Sequence, residues 1–577
     1  MDNRQIAHIF QQIADMLAIQ GANRHRIFAY QRAGETIAHL ERDVSDVWRE
    51  GKLTEIPGIG ATLADKIEEL LTTGDLDFYQ RLKKEVPPGV VDLLQVPDVG
   101  PKTAGRLWKE LGVTSIEALE EAARAGRVQT LSRMGARTEA RILEGIEALR
   151  RRTGRTPLGA AWFLAQDLSA ALREVPGVRQ VAPAGSLRRM RDTVRDLDLL
   201  VAAEDAGPVM ARFRGHPQVA EVLLSGATKT TVRTHDGLQV DLRVLPPDRW
   251  GTALQYFTGS QAHNIRLRGL ARDRGYSLSE YALKRGDGEE ILCAEEQEVY
   301  RHLGLPWIPP ELREDRGEIE AARKGELPRL VERADIQGDL QAHTTWSDGQ
   351  ASVAEMAEAA RARGLRYLLI TDHSYGMAIA GGLRAEELRQ QRAEIEAADA
   401  RYDDLRVLAG VEVEIRADGT LDLPDEVLAG QDLVVASLHT GLRSGRERTT
   451  QRVLAAMRNP HVDILAHPTG RLIGQREGAD LDVEAVLQAA AETGTAIEIN
   501  AHPNRLDLPD IYVRRAVELG VKLAINSDAH DPQGFDLLFF GVATARRGWA
   551  TPPDVINTWS LDDLLAWAKR PDTDFHG

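Results

Sequence analysis

Six apolar runs between Arg366 and His530 carry metal-binding types of side chain at their ends. RYLLITDH closes on Asp372 and His373, VLAGVEVE on Glu412 and Glu414, LVVASLH on His439 and VDILAH on His467. TAIEIN carries Glu498, and KLAINSDAH closes on Asp528 and His530. Ala-rich stretches separate these runs. Such continuous apolar runs read as strands buried on both faces, and parallel strands joined by helices form sheets or barrels whose active sites lie at the strands' carboxyl ends. The pattern therefore predicts a β/α barrel with imidazoles and carboxylates gathered at one mouth. A lone histidine is usually a satisfied core or surface residue. Here four share one position, with His343 and Asp348 upstream in GDLQAHTTWSDG, where Gln341 stands two residues before His343.

With 577 residues the chain exceeds one core, and three to five domains are expected. Its net charge of -16 belongs to the barrel: residues 336–577 hold 24 Lys+Arg against 38 Asp+Glu, leaving the rest close to neutral. A nucleic-acid partner for the first half is therefore compatible with the acidic total. Cys293 is the only cysteine, which excludes an intramolecular disulfide. MDNRQIAHIF lacks the basic and apolar regions of a secretory signal, and no apolar run reaches about 18 residues. These features predict a soluble cytoplasmic protein with no membrane partner.

Residues 1–80 carry helical spacing at Ile6, Ile9, Phe10, Ile13 and Leu17. IPGIG (56–60) and VPDVG (96–100) are Pro/Gly turns that open helices, and LSRMG (131–135) is a degraded third copy. Such a turn leaves N–H groups free at a helix start to take a phosphate oxygen, which makes Gly58, Gly60 and Gly100 candidate DNA-backbone contacts. Arg133, Arg137, Arg141, Arg150, Arg151, Arg152 and Arg155 add positive charge nearby, as a solvated helix face also would.

GSLRRMRDTVRDLDLLV (185–201) is the sharpest signal of the first half. Asp196 and Asp198 alternate with Leu197 and Leu199, so on a strand both carboxylates share one face. The Gly185-Ser186 turn with Arg188 and Arg189 suits a polyphosphate, and Asp241 in LQVDLRV supplies a third carboxylate from a second strand.

In these motifs and their order, residues 1 to about 315 resemble the family X DNA polymerases, the nucleotidyltransferase family of DNA polymerase beta. The resemblance implies that Asp196, Asp198 and Asp241 hold two Mg2+ or Mn2+ ions, with Asp241 activating the primer 3'-hydroxyl. It also implies that Gly185, Ser186 and Arg189 take the triphosphate, that Tyr256, Phe257 and Gly259 line the sugar, that Asn264 contacts the incoming base and that Arg268 contacts the template. Gln261, His263 and Ile265 depart from the vertebrate Asp, Phe and Lys. Lys66 matches the Schiff-base lysine of a 5'-deoxyribose phosphate lyase, with Arg26 and Tyr30 near the 5'-phosphate, although Thr62 replaces a lysine of the family.

From about Asp335 onward the chain resembles the polymerase and histidinol phosphatase (PHP) domain, a distorted barrel of about seven β/α units. The resemblance implies that His343, Asp348, His373, Glu412, His439, His467, Asp528 and His530, with Gln341 in a ninth position, hold up to three Mn2+, Zn2+ or Fe2+ ions.

The expected fold is multidomain. A helical N-terminal domain with the first hairpin (1–80) and a fingers-like helical domain with the second (81–155) precede an α+β nucleotidyltransferase palm (156–248) and a thumb (249–315). A Pro- and charge-rich linker (316–334) and the PHP barrel (335–577) follow. The implied function is a monomeric DNA-repair polymerase of the bacterial nucleoid that adds dNTPs in gapped or nicked double-stranded DNA. Its second activity is Mn2+-dependent 3'-5' exonuclease, 3'-end or abasic-site processing. The rivals are a DNA-end-binding scaffold with inactive sites and a small-molecule phosphatase.

Overall fold

The computed structural model describes residues 3–38, 44–56, 58–96, 99–132, 134–152, 155–377 and 380–568. Pro57, Pro97, Asp98 and Arg133 of the hairpin turns lie outside these, as do the side chains of Arg150, Arg151 and Arg152. Two compact units result, Met1–Gly154 and Arg155–Gly577. No described helix is long and apolar enough to cross a membrane.

The first unit is helical, and its three turns share one backbone bond. The N–H of Ile59 donates to Ile56, that of Val99 to Val96 and that of Met134 to Leu131, at 3.0 Å each. All six side chains are buried, so the apolar residues of each turn plug the core. The helices that follow, Ala61–Thr73 and Pro101–Leu111, start at Gly60 and Gly100 with no side-chain cap, leaving their first N–H groups for an outside acceptor.

The second unit begins with a five-stranded sheet in the order Val178–Pro183, Asp196–Ala203, Gln239–Leu245, Lys229–Thr234, Val219–Ser225. Only the central pair, Asp196–Ala203 with Gln239–Leu245, is parallel. That pairing sets Asp198 opposite Asp241. Helices Trp250–Thr258 and Gln261–Asp273 follow and lead to a three-stranded antiparallel sheet.

Seven parallel strands then run in sequence order from Gly338–Ala342 to Leu523–Asn526, and a bridge between Ala342 and Ala529 nearly closes them into a barrel. The barrel is not a separate bead. Leu506, Phe540 and Ala543 belong to the core under the five-stranded sheet, and Trp549 to the core under the three-stranded one.

The segment expected as a linker is built into this unit. Ile319, Ala322, Leu330 and Val331 are buried, and helix Glu318–Lys324 lies within it. Arg313 is fully buried between the rings of Tyr300 and Trp307 and bonds Glu296 at 2.6 Å. Burial pushes the Glu296 carboxyl up, but Arg313 and Arg188 together outweigh it and hold it well below the usual range. Deleting one partner of such a buried pair typically costs about 3–5 kcal/mol. Proline and charge disguised a packed strap as a tether.

Candidate functional sites

The parallel central strands expose Asp196 and Asp198 on one face, while Leu197 and Leu199 are buried on the other. Asp198 is pushed up to about 6 by burial first, then by the Asp196 and Asp241 carboxylates. Crowded carboxylates of this kind suit hard divalent cations. Asp241 accepts from Thr231 Oγ1 at 2.5 Å and lies 3.5 Å from Lys229 Nζ. Sequence reading did not find these two neighbours, because they come from the adjacent strand.

Above the acids lies a cleft of about 910 Å3. Gly185, Ser186, Arg189, Asp196, Asp198, Tyr256, Phe257, Gly259, Asn264 and Arg268 all line it. Arg155, Arg191, Arg195 and Glu314 line it too. Gly185 has a left-handed backbone with φ +58, and a Cβ there would stand 2.3 Å from Asp198 Oδ2, so the turn can approach the acid only as glycine. Arg188 does not face the cleft: its guanidinium is locked to Glu296 at 2.7 and 2.9 Å. Asn264 is oriented by Tyr256 O and Gln255. His263, one of the departures from the vertebrate pattern, is also turned away. It is fully buried and sits between Glu318 at 2.6 Å and Tyr300 at 3.1 Å, whereas Ile265 is 62% exposed and does line the cleft.

At the barrel mouth His343, Asp348, His373, Glu412, His439, His467, Asp528 and His530 lie close together, while no hydrogen bond or ion pair between described residues joins the Gln341 side chain to them. Among the described residues three groups of ligand atoms lie within 4.8 Å of one another: His343, Asp348, His373 and His530; His373, Glu412 and His439; His343, Glu412 and Asp528. Glu412 is the hub. It lies 3.4 Å from His343, 3.3 Å from His373, 3.4 Å from His439 and 3.1 Å from His467. Burial pushes its carboxyl up, yet the surrounding imidazoles hold it well below the usual range. Asp348 is held at about 2 in the same way, with His530 as its main partner.

Both nitrogens of His343, Oε2 of Glu412, Nδ1 of His467 and both side-chain heteroatoms of Gln341 are buried without a hydrogen-bond partner. A cation would take one imidazole lone pair each from His343 and His467 and an oxygen lone pair from Glu412, so these residues fit a metal centre. His467 and Asp528 hold left-handed backbones at φ 24 and φ 55, a strain of about 1–3 kcal/mol each that is typical of functional positions.

Three acids at strand ends turn out to be supports. Asp372 accepts from Thr344, Ser347 and Gln391, fixing the loop between His343 and Asp348. Glu414 orients His439 through Nδ1 at 2.8 Å, and Glu498 receives the His467 N–H at 2.6 Å. Arg505 was missed altogether. Its guanidinium makes no hydrogen bond or ion pair with a described residue. Burial chiefly lowers the proton affinity of His502 and the Arg505 charge adds to that, whereas at His439 burial and the same charge are outweighed by Glu414 and Glu412, which raise it on balance.

In the first unit Lys66, Arg26, Tyr30, Phe78, Arg81 and Thr62 line a cavity of about 650 Å3. Lys66 Nζ lies 4.8 Å and Arg26 Cζ 4.9 Å from the Phe78 ring centre. Arg81 is the cation that sequence reading overlooked.

Family profiles match four stretches: a helix-hairpin-helix domain at 1–76, a SAM-like helix-hairpin-helix tandem at 90–148, the DNA polymerase beta thumb at 253–314 and the PHP domain at 339–502. The chain is 39% identical over 575 residues to the DNA polymerase/3'-5' exonuclease PolX of Bacillus subtilis (strain 168), spanning 99% of this chain and 100% of that one. The chain belongs to the PolX family. Other relatives match in pieces, and this PolX member joins them. A probable phosphatase of Thermoanaerobacter sp. (strain X514) is 34% identical over 204 residues, 33% of this chain and 78% of its own. DNA polymerase lambda of Arabidopsis thaliana is 27% identical over 343 residues, 53% of this chain and 61% of its own.

Proposed function

We propose that this chain is a DNA-repair polymerase that fills short gaps and trims 3' ends, working as a monomer on gapped or nicked DNA at the bacterial nucleoid. The observation that carries the reading is the coexistence in one compact unit of two different metal-type centres. One is a carboxylate trio, Asp196, Asp198 and Asp241, beneath an arginine-lined cleft; the other is the imidazole-rich hub around Glu412.

In the cleft, Asp196, Asp198 and Asp241 would hold two Mg2+ or Mn2+ ions, and Asp241 takes the proton of the primer 3'-hydroxyl. Ser186 and Arg189 hold the triphosphate, Tyr256 and Phe257 bound the sugar, and Asn264 and Arg268 face base and template. The ions, when bound, would supply neutralisation of the charge that develops in phosphoryl transfer. The chain's residues align the groups.

In the barrel, His343, Asp348, His373, Glu412, His439, His467, Asp528 and His530 would hold up to three Mn2+, Zn2+ or Fe2+ ions, whose chemistry would be activation of water for phosphodiester hydrolysis. Arg505 is free to meet a phosphate oxygen. A small-molecule phosphatase is disfavoured because the probable phosphatase covers only 33% of this chain, whereas the PolX relative is matched end to end. The gap-filling assay described in the Discussion tests the whole reading.

Gln341 supports a tuned rather than a spoiled centre. Its amide is fully buried and its Oε1 accepts no hydrogen bond, which leaves that oxygen open to a cation, and a neutral oxygen ligand favours Mn2+ over Zn2+. Gln341→His is expected to raise Zn2+ retained through purification and relax the requirement for added Mn2+. Unchanged metal content and unchanged Mn2+ dependence would put Gln341 outside the ligand set.

The cavity around Lys66 supports a 5'-deoxyribose phosphate lyase, with Arg26 and Arg81 on the phosphate. Borohydride is expected to trap the chain on a 5'-deoxyribose phosphate end, and Lys66→Ala to lose most of that adduct. Equal trapping by the variant would leave Lys66 an ordinary lysine.

A further inference from the structure

We propose that the barrel supplies a positioning residue to the nucleotide cleft: Arg547, at the end of helix Leu538–Arg547, holds Glu314 and the Arg189 backbone so that Arg189 presents its guanidinium to a triphosphate. Arg547 is buried, and each of its terminal nitrogens is committed. Nη1 donates to the carbonyl of Arg189 at 2.5 Å and to Glu314 Oε1 at 3.1 Å; Nη2 donates to Asp510 Oδ2 at 2.7 Å. Asp510 opens helix Asp510–Glu518 of the barrel, so the guanidinium is anchored at its far end outside the polymerase half.

Glu314 in turn accepts from Arg189 Nε at 3.1 Å and lies 3.9 Å from Arg191. Arg189 Nη1 donates to Thr258 O at 2.6 Å. These two bonds fix the plane of the Arg189 fork. Its Nη2 has no partner among the described residues and stands in the cleft wall.

The arrangement decides between two states of one carboxylate. Left to itself, Glu314 would bind Arg189 and Arg191 and compete with a triphosphate for them. Sharing its charge with Arg547 weakens that competition while keeping the guanidinium oriented, and a charged hydrogen bond from the free Nη2 to phosphate depends on such orientation. A barrel residue 358 positions away thereby sets how well the cleft takes nucleotide.

The proposal rests on the reading of the cleft as the nucleotide site, which wild-type incorporation and its loss in Asp241→Ala report independently. The test is steady-state incorporation on gapped DNA by the full chain. Arg547→Met is expected to raise KM for dNTP roughly ten-fold and to raise the inhibition constant of pyrophosphate in parallel, with kcat and affinity for gapped DNA near wild type. Arg547→Lys, which keeps the charge but not the fork, should recover part of the loss, and Asp510→Asn should move KM in the same direction. If the Met variant fails to melt cooperatively, the Lys and Asn variants carry the same test. Wild-type KM for dNTP in the folded variants would overturn the proposal. So would a common fall in kcat and DNA affinity with KM unchanged, because that is the mark of a merely structural role.

Discussion

Asp241→Ala is expected to reduce nucleotide incorporation by at least about a thousand-fold, the scale on which single catalytic groups act, while leaving the affinity for gapped DNA close to wild type. Asp241 faces Asp198 across the parallel pair and is only partly exposed, so it serves the acid cluster rather than the strand's packing. The DNA-backbone contacts assigned to the hairpin turns and uncapped helix starts belong to another unit, which this change does not touch. Primer extension by a rapid-quench assay, with DNA binding measured separately, checks both halves of the expectation. Incorporation within a few-fold of wild type would remove Asp241 from the chemistry.

His373→Ala or Asp528→Ala is expected to lower 3'-end degradation by at least about a hundred-fold, since even the residues that support metal ligands account for ten- to a hundred-fold. Polymerisation should persist. His373 bridges the reach of Glu412 and Asp348, and Asp528 pairs with His343 at 3.1 Å, so each serves the hub and neither lines the cleft. A melting curve is needed beside the assay, because the barrel shares core residues with the five-stranded sheet. A variant that melts normally yet loses both activities would mean that the two centres are coupled through that shared core.

The sequence pattern made much of both centres legible, and the reason is local. A carboxylate pair alternating with leucines needs only the two-residue period of a strand, and His or Asp at the end of an apolar run needs only that parallel strands be buried on both faces. What stayed hidden was every relation between distant segments. Nothing near Glu412 says that it touches four imidazoles, because they come from four different strand ends. Arg188 and Arg189 read alike in GSLRRM, and only their partners Glu296 and Glu314, more than a hundred residues on, send one into a buried pair and leave the other in the cleft. Nothing in the charged, Pro-rich stretch around Arg313 marks it as buried, because its compensation by Glu296, Tyr300 and Trp307 is a matter of packing. The third hairpin turn lost its Pro/Gly signature but kept buried Leu131 and Met134, which preserve the same turn.

The central claim is that one chain both shortens and extends a DNA 3' end at two separate centres. It is tested most directly with a 5'-labelled primer that ends in a mismatch on gapped DNA, given dNTPs, Mg2+ and Mn2+ and sampled over time. The wild-type chain should first shorten the primer and then extend it to fill the gap. Asp241→Ala should stop after shortening, and His373→Ala should leave the mismatched end in place while still extending a paired primer. A folded wild-type chain that extends a paired primer but shortens no 3' end at any Mn2+ concentration would contradict the account and make the barrel a structural domain.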